Sequence, residues 1–165
     1  MSEEPKIVER TARPYVAIKA LVTMDTLGTA VPPLNGEVFR WLGARGIAPA
    51  GPPFWKYNVI DMARGLELEA GVAITSAATS DERVLDGVLP AGRFATLHHV
   101  GHPATLMEAT ATLLAWAKAR ELHWDVSASP QGERWGCRLE EYLTDPQVEP
   151  DMNKWQTDLF FRLAD

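Results

Sequence analysis

The order strand–helix–strand–strand occurs twice along this chain, and that repetition limits the possible folds more than any single motif does. Trp41, Ala44, Arg45 and Ile47 match Trp116, Ala119, Arg120 and Leu122 at a constant offset of about 75 positions. The segments before the two helices also correspond, Arg13-Pro-Tyr-Val-Ala-Ile against Gly92-Arg-Phe-Ala-Thr-Leu. A supersecondary unit that cannot bury its own apolar face must share it with its copy. Two such units join their strands into one antiparallel sheet and lay both helices on one face. The expected fold is therefore α+β, with duplicated β-α-β-β modules, a pseudo-twofold antiparallel sheet and a ligand cleft between the halves. The half-repeats cover about 1–78 and 84–165 of a single domain spanning 1–165. The sheet face left uncovered by the helices is expected to be concave and to hold the ligand.

Local signals place the elements. Lys6 to Thr23 reads as one long strand with Pro14 at an edge or bulge, ended by Gly28. Pro32 and Pro33 suit the first turn of a helix, and Leu34, Val38, Trp41 and Leu42 recur at its period. Gly46 stops it. The proline-rich run 47–53 reads as a loop. Phe54 to Ile60 and Leu66 to Ile74 form a hairpin around the Asp61–Gly65 turn, and Thr75 to Asp86 is a polar linker. Val88 to Val100 is the next strand, and Pro103 to Arg120 a helix with Leu106, Thr110, Leu113, Leu114 and Ala117 on one stripe. Glu121 to Gly132 is a loop, Trp135 to Leu143 a strand, and Lys154 to Leu163 the last strand, with Trp155, Thr157, Leu159, Phe161 and Leu163 on one face.

Composition removes several function classes. Sixteen Lys and Arg against 22 Asp and Glu give a net charge of −6 with no basic patch, which argues against direct nucleic-acid binding. One cysteine, Cys137, excludes an internal disulfide and a cysteine-based zinc site. The start Met-Ser-Glu-Glu-Pro-Lys is unlike a signal peptide, and no apolar run is long enough to span a bilayer. A cytoplasmic protein without membrane contact is expected. His98, His99 and His102 invite a metal reading, but neighbours on a strand point to opposite faces and no third ligand lies nearby. Exposed or helix-capping roles suit them better, and neither a metal nor a cofactor is expected. There is no phosphate-cradling glycine loop and no nucleophile elbow.

The residues able to carry chemistry gather on the strand 135–143. Cys137, Leu139, Glu141 and Leu143 share one face, with Leu139 and Leu143 expected on a core; Gly136, Arg138, Glu140 and Tyr142 share the other. A carboxylate set among aromatic side chains loses water, and its pKa rises unless a cation pairs with it. Glu140 could then attract a lipophilic cation, helped by aromatic faces, or act as a general base on water. The ordinary alternative pairs Glu140 with Arg138 or Arg162 on a solvated face. Trp55 and Tyr57 share a strand face and are the first choices for a pocket wall, within an aromatic set that includes Trp135 and Trp155. Glu67 and Glu69 are first-half acids on a comparable strand, with simple solvent exposure as their alternative. The candidate ligand contacts are thus Glu140, Tyr142, Tyr57, Trp55, Trp135, Trp155 and Glu67, and the candidate catalytic groups Glu140 and Tyr142.

The segments Pro14-Tyr-Val-Ala-Ile, Leu89-Pro-Ala-Gly-Arg-Phe-Ala, Leu139-Glu-Glu-Tyr-Leu-Thr-Asp-Pro and Trp155-Gln-Thr-Asp-Leu occur in an order and spacing that resemble the GyrI-like small-molecule-binding family. That family includes effector-binding domains of AraC-type and MerR-type multidrug regulators. The resemblance implies a cleft between two β-α-β-β modules and a pocket glutamate that recognises aromatic or cationic lipophilic compounds, a role matched best by Glu140. Some stand-alone members resemble hydrolases that open the cyclopropane of genotoxic natural products; Glu140, Tyr142 and Tyr57 map onto that role. A third implied role is binding of a protein partner, as in the gyrase-inhibiting members. The first predicted strand begins within ten residues of Met1, which leaves no room for a helix-turn-helix. Capture of a small molecule is the leading expectation, and its hydrolysis the alternative.

Overall fold

The computed structural model describes residues 3–164. Ten strands form one curled antiparallel sheet: β1 (Lys6–Arg10), β2 (Arg13–Val22), β3 (Pro49–Asp61), β4 (Gly65–Ile74), β5 (Leu85–Leu89), β6 (Gly92–Val100), β7 (Val126–Ser129), β8 (Gly132–Trp135), β9 (Arg138–Tyr142) and β10 (Gln156–Arg162). The order across it is β1-β6-β10-β9-β3-β4-β2-β5, with β8 on β3 and β7 on β8. The helices are α1 (Met24–Ala30), α2 (Pro32–Arg45) and α3 (Leu106–Ala119).

The order is symmetric about the β3–β9 seam. β4 and β2 lie beyond β3 as β10 and β6 lie beyond β9. The outermost strands are exchanged: β1 of the first half pairs with β6 of the second, and β5 pairs with β2. This is the duplicated α+β architecture expected from the repeat. The repeat extends to the helix ends. The Arg45 guanidinium lies 3.9 Å from the centre of the Trp41 ring, and that of Arg120 lies 4.3 Å from the centre of the Trp116 ring, one helical turn apart in each case. Gly46 closes α2 in the left-handed region (φ 65), and the equivalent Glu121 closes α3 at φ 57. Behind them the Ile47 and Leu122 amides donate back to the carbonyls of Leu42 and Ala117.

Both long helices pack on one face of the sheet. Under α2 lie Val16, Ile18 and Val72 against Val38 and Leu42; under α3 lie Ala95, Leu97, Leu159 and Phe161 against Ala109 and Leu113. Each such large side chain, taken from water, contributes about 1.5–3 kcal/mol. The opposite face curls around a core of its own, with Tyr15, Ala17 and Phe54 from one half against Phe94, Cys137 and Leu139 from the other. The face expected to be open and concave is thus partly filled, because curling brings the two halves together there.

Several element boundaries also differ from the expectation. The strand expected over 6–23 is two strands, because β1 and β2 pair on opposite halves. Gly28 lies inside α1, whose first turn is held by a capping box between Thr23 and Thr26. The proline run is the start of β3, with a bulge between Pro49 and Pro53 where proline has no N–H to give. The strand expected over 88–100 is divided into β5 and β6, and that over 135–143 breaks between β8 and β9; β7 lies in the expected loop 121–132. A 3-10 turn at Met152–Lys154 delays β10 to Gln156. Leu143 falls beyond β9 and is 42% exposed, so it adds nothing to the core.

Candidate functional site

At the seam, Trp55 on β3 stands opposite Glu140 on β9, and Leu159 of β10 flanks Glu140 on its other side. Tyr57 and Tyr142 each lie two residues beyond this central pair, so pseudo-symmetry brings one tyrosine from each half to the same point. Tyr57 Oη donates to Glu140 Oε1 at 3.1 Å, and Tyr142 Oη to the same oxygen at 2.6 Å. Trp55 meets Tyr142 edge-on with centroids 5.2 Å apart. Its rotamer is fixed from α2: the indole N–H donates to Asn35 Oδ1 at 2.8 Å, and the Asn35 amide donates to the carbonyls of Phe54 and Gly71, both at 3.3 Å.

The electrostatics follow from depth. Loss of water raises the Glu140 pKa above the usual carboxylate range, against the opposing pull of the tyrosine hydrogen bonds and the Arg138 charge. Burial pushes both tyrosines well above their ordinary value, and the neighbouring Glu140 adds to this. Both phenols therefore stay protonated and remain donors. The second carboxylate oxygen, Oε2, has no hydrogen-bond partner among the described residues. The unpartnered side-chain atoms sealed from solvent are Trp116 Nε1 and Trp135 Nε1, and Oε2 is not one of them. Glu140 is thus half-buried, with one oxygen held by two phenols and the other left without a protein partner among the described residues.

The expected site residues are brought together in part. Glu140, Tyr142, Tyr57 and Trp55 form one hydrogen-bonded and stacked group. Trp135 is 6% exposed in the α3-side core and reaches the group through Arg138, whose guanidinium lies 4.7 Å from its ring. Trp155 precedes β10 and gives its N–H to the Glu149 carbonyl at 2.8 Å, anchoring the 145–155 loop. Glu67 does not join the group. It leaves β4 on the other face, where it lines a polar cavity of about 440 Å³ with Lys19, Lys56, Asn58 and Arg134. The convergent hydrogen-bond donors lie instead at Glu140. Glu69, for which solvent exposure was the ordinary alternative, is buried, accepting from Tyr15 Oη at 2.6 Å and Asn58 Nδ2 at 2.5 Å, with Lys56 Nζ at 3.5 Å.

Two members of the group were not legible as such. Asn35 gave no signal beyond a polar residue in the first turn of α2. Arg138 had one, since it shares the face of Glu140 two residues away; it is half-buried against the Phe161 and Trp135 rings and acts on Glu140 by charge, not by a hydrogen bond. Arg162 pairs with Asp125 at 2.8 Å instead. Of the histidines, His98 meets Asp158 at 2.6 Å, His99 meets Thr105 at 2.7 Å, and His102 Nδ1 accepts the Ala104 amide at 3.0 Å to cap a turn. Among the described residues no group of three His, Cys, Asp or Glu could hold a metal ion. Burial pushes the Cys137 thiol up to about 11, which keeps it unreactive. No described helix is long and apolar enough to cross a membrane.

The model of the GyrI-like small-molecule-binding domain matches residues 3–164. The chain belongs to the GyrI-like family. Among solved structures, the EcmrR C-terminal domain superposes with TM-score 0.75 at 16% identity, covering 98% of each chain. In the EcmrR–DNA complex, at 17% identity and TM-score 0.75, 98% of this GyrI-like chain spans 57% of the EcmrR chain. SAV2435 bound to tetraphenylphosphonium gives TM-score 0.64 at 7% identity, over 98% of this chain and 94% of that one. A hydrolase from Listeria innocua gives TM-score 0.60 at 14% identity, over 98% and 92%. These likenesses establish the GyrI-like fold. No curated protein sequence matched the chain.

Proposed function

We propose that this GyrI-like domain captures hydrophobic, aromatic or cationic small molecules in the groove between its two modules, with Glu140 as the polar floor and Trp55, Tyr57 and Tyr142 as the wall. The halves act as one binding unit, since each supplies a tyrosine. The observation that carries the reading is the half-engaged carboxylate: two phenols fix Oε1 and leave Oε2 for a ligand. A desolvated carboxylate attracts a cation more strongly than a hydrated one, and ring faces add cation–π attraction. The tetraphenylphosphonium bound to SAV2435, a protein of the same fold, is a ligand of this class. The test compares tetraphenylphosphonium with neutral triphenylphosphine oxide by calorimetry. Glu140→Gln is expected to weaken the cation about tenfold and the neutral compound hardly at all. Equal losses for both would reject the carboxylate's role.

A second reading uses the same geometry. A carboxylate with a raised pKa and one free oxygen, beside two protonated tyrosines, can take a proton from water as the water oxygen bonds to the ring carbon and the strained C–C bond breaks. A phenol donates to the conjugated carbonyl oxygen that receives the electron pair. Hydrolysis of a strained electrophile such as a cyclopropane-bearing genotoxin would use Glu140 as base and Tyr142 as donor, and a general base contributes ~10²–10⁴-fold in rate. A product heavier by one water that persists with Glu140→Gln would exclude this mechanism.

A further inference from the structure

We infer that Arg138 makes the groove selective for ligands that carry an anionic or strongly accepting group beside their aromatic or cationic part, rather than for purely cationic ones. The inference rests on the capture reading and specifies its ligand class. Arg138 leaves β9 on the same face as Glu140, two residues before it, a separation of roughly 6–7 Å along a strand. Its guanidinium lies 4.4 Å from the centre of the Phe161 ring, 4.7 Å from Trp135 and 6.0 Å from Tyr57, and its charge also acts on Glu140 without a hydrogen bond between them. Ring faces hold a guanidinium through its charge and leave the N–H groups along its edge unused. Among the described residues no carboxylate, carbonyl or hydroxyl accepts from Arg138. Its nitrogens are also not among the unpartnered atoms sealed from solvent.

A half-buried guanidinium with no protein acceptor keeps its N–H donors available to a ligand that displaces water from them. Three other partly buried arginines of this sheet have carboxylate acceptors: Arg10 and Arg13 hold Glu141, and Arg162 holds Asp125. Arg138 is held in place but not satisfied. The groove therefore presents two unmet groups in a row, an open carboxylate oxygen and a fork of donors, with aromatic walls beside them. A ligand with both charges fits this row at both ends. A purely cationic ligand meets Arg138 as a like charge.

The test uses rhodamine B, whose aromatic cation carries a carboxylate, and its ethyl ester, which keeps the cation and masks the acid. Binding to the full chain is read by fluorescence anisotropy at neutral pH. The wild type is expected to prefer the acid to the ester. Arg138→Met should weaken the acid about tenfold and leave the ester unchanged or tighter. Arg138→Lys, which keeps the charge but lacks the planar fork, should retain part of the preference. A wild type that prefers the ester overturns the inference without any variant. An Arg138→Met change that is equal for both probes overturns it as well. If Glu140→Gln still weakens both probes in that case, the capture reading stands and only the role of Arg138 falls. If neither probe binds the wild type, the inference falls, and the tetraphenylphosphonium titration decides the capture reading separately.

Discussion

Glu140 and Glu141 are neighbours on β9 and leave it on opposite faces, so one sheet gives the same side chain two environments. Glu141 is 4% exposed and accepts from Arg10 at 2.9 Å and Arg13 at 3.4 Å. Its pseudo-symmetric counterpart Lys56 also points to that face and finds an opposite charge, Glu69. There the charges are closed among themselves, and the two halves are tied by them. Glu140 faces the helix side, where neutral phenols fill one oxygen and the nearby Arg138 charge acts on it without a hydrogen bond. Burial alone does not mark a functional acid. What separates the two is whether the surroundings use up the whole carboxylate.

The largest effect that would sharpen this contrast is on stability. Glu141→Ala strands two arginines on the curled core and is expected to lower unfolding free energy by roughly 2–3 kcal/mol in urea titrations, leaving ligand preference unchanged. Glu140→Gln should act in the reverse sense. The raised pKa of Glu140 means the folded state holds its proton more tightly than the unfolded chain does. That favourable contribution is present below the unfolded value, near ~4.3, and is lost as pH rises through the folded one. Glu140→Gln is therefore expected to raise the melting temperature at neutral pH and to give little gain near pH ~4. If both variants lowered stability alike at neutral pH, the contrast between the two acids would be gone.

Smaller effects follow. Affinity for a permanent cation should increase as pH rises through the Glu140 pKa, and the dependence should vanish in Glu140→Gln, as calorimetry at several pH values would show. A control free of either acid is available at the helix ends. Glu121 holds a left-handed conformation that Gly46 adopts without strain in the other half. Glu121→Gly is expected to stabilise the fold by about 1 kcal/mol and Gly46→Ala to destabilise it by a similar amount, with binding unchanged in both.

Much of the fold could be read from the chain because its signals are local and repeated. The Trp41–Arg45 and Trp116–Arg120 turns, Gly46 and the alternation of Arg138 to Tyr142 each specify their own geometry. The partner of a strand is not local information. Nothing in Lys6 to Arg10 says that it pairs with β6, so β1 and β2 read as one strand, and the curled face read as an open one. The site was legible to the extent that parity sufficed: it placed Glu140, Tyr142, Trp55 and Tyr57 on faces that the seam then joined. It could not separate Glu67 from them, since the face of a strand is set by its register with neighbours. Asn35 and Arg138 act through contacts across elements, which no spacing along the sequence encodes.

The exchange of the outer strands has a consequence for the halves as physical objects. Each module lends one strand to the other, β1 to β6 and β5 to β2. Neither piece of a chain cut between Thr75 and Asp81 would own a complete sheet. Each would expose an edge shaped for a strand attached to its counterpart, as in domain-swapped pairs. The two fragments should be poorly folded apart and should restore one another when mixed. The duplication has become a handshake, and neither copy can any longer be removed without disarming the other.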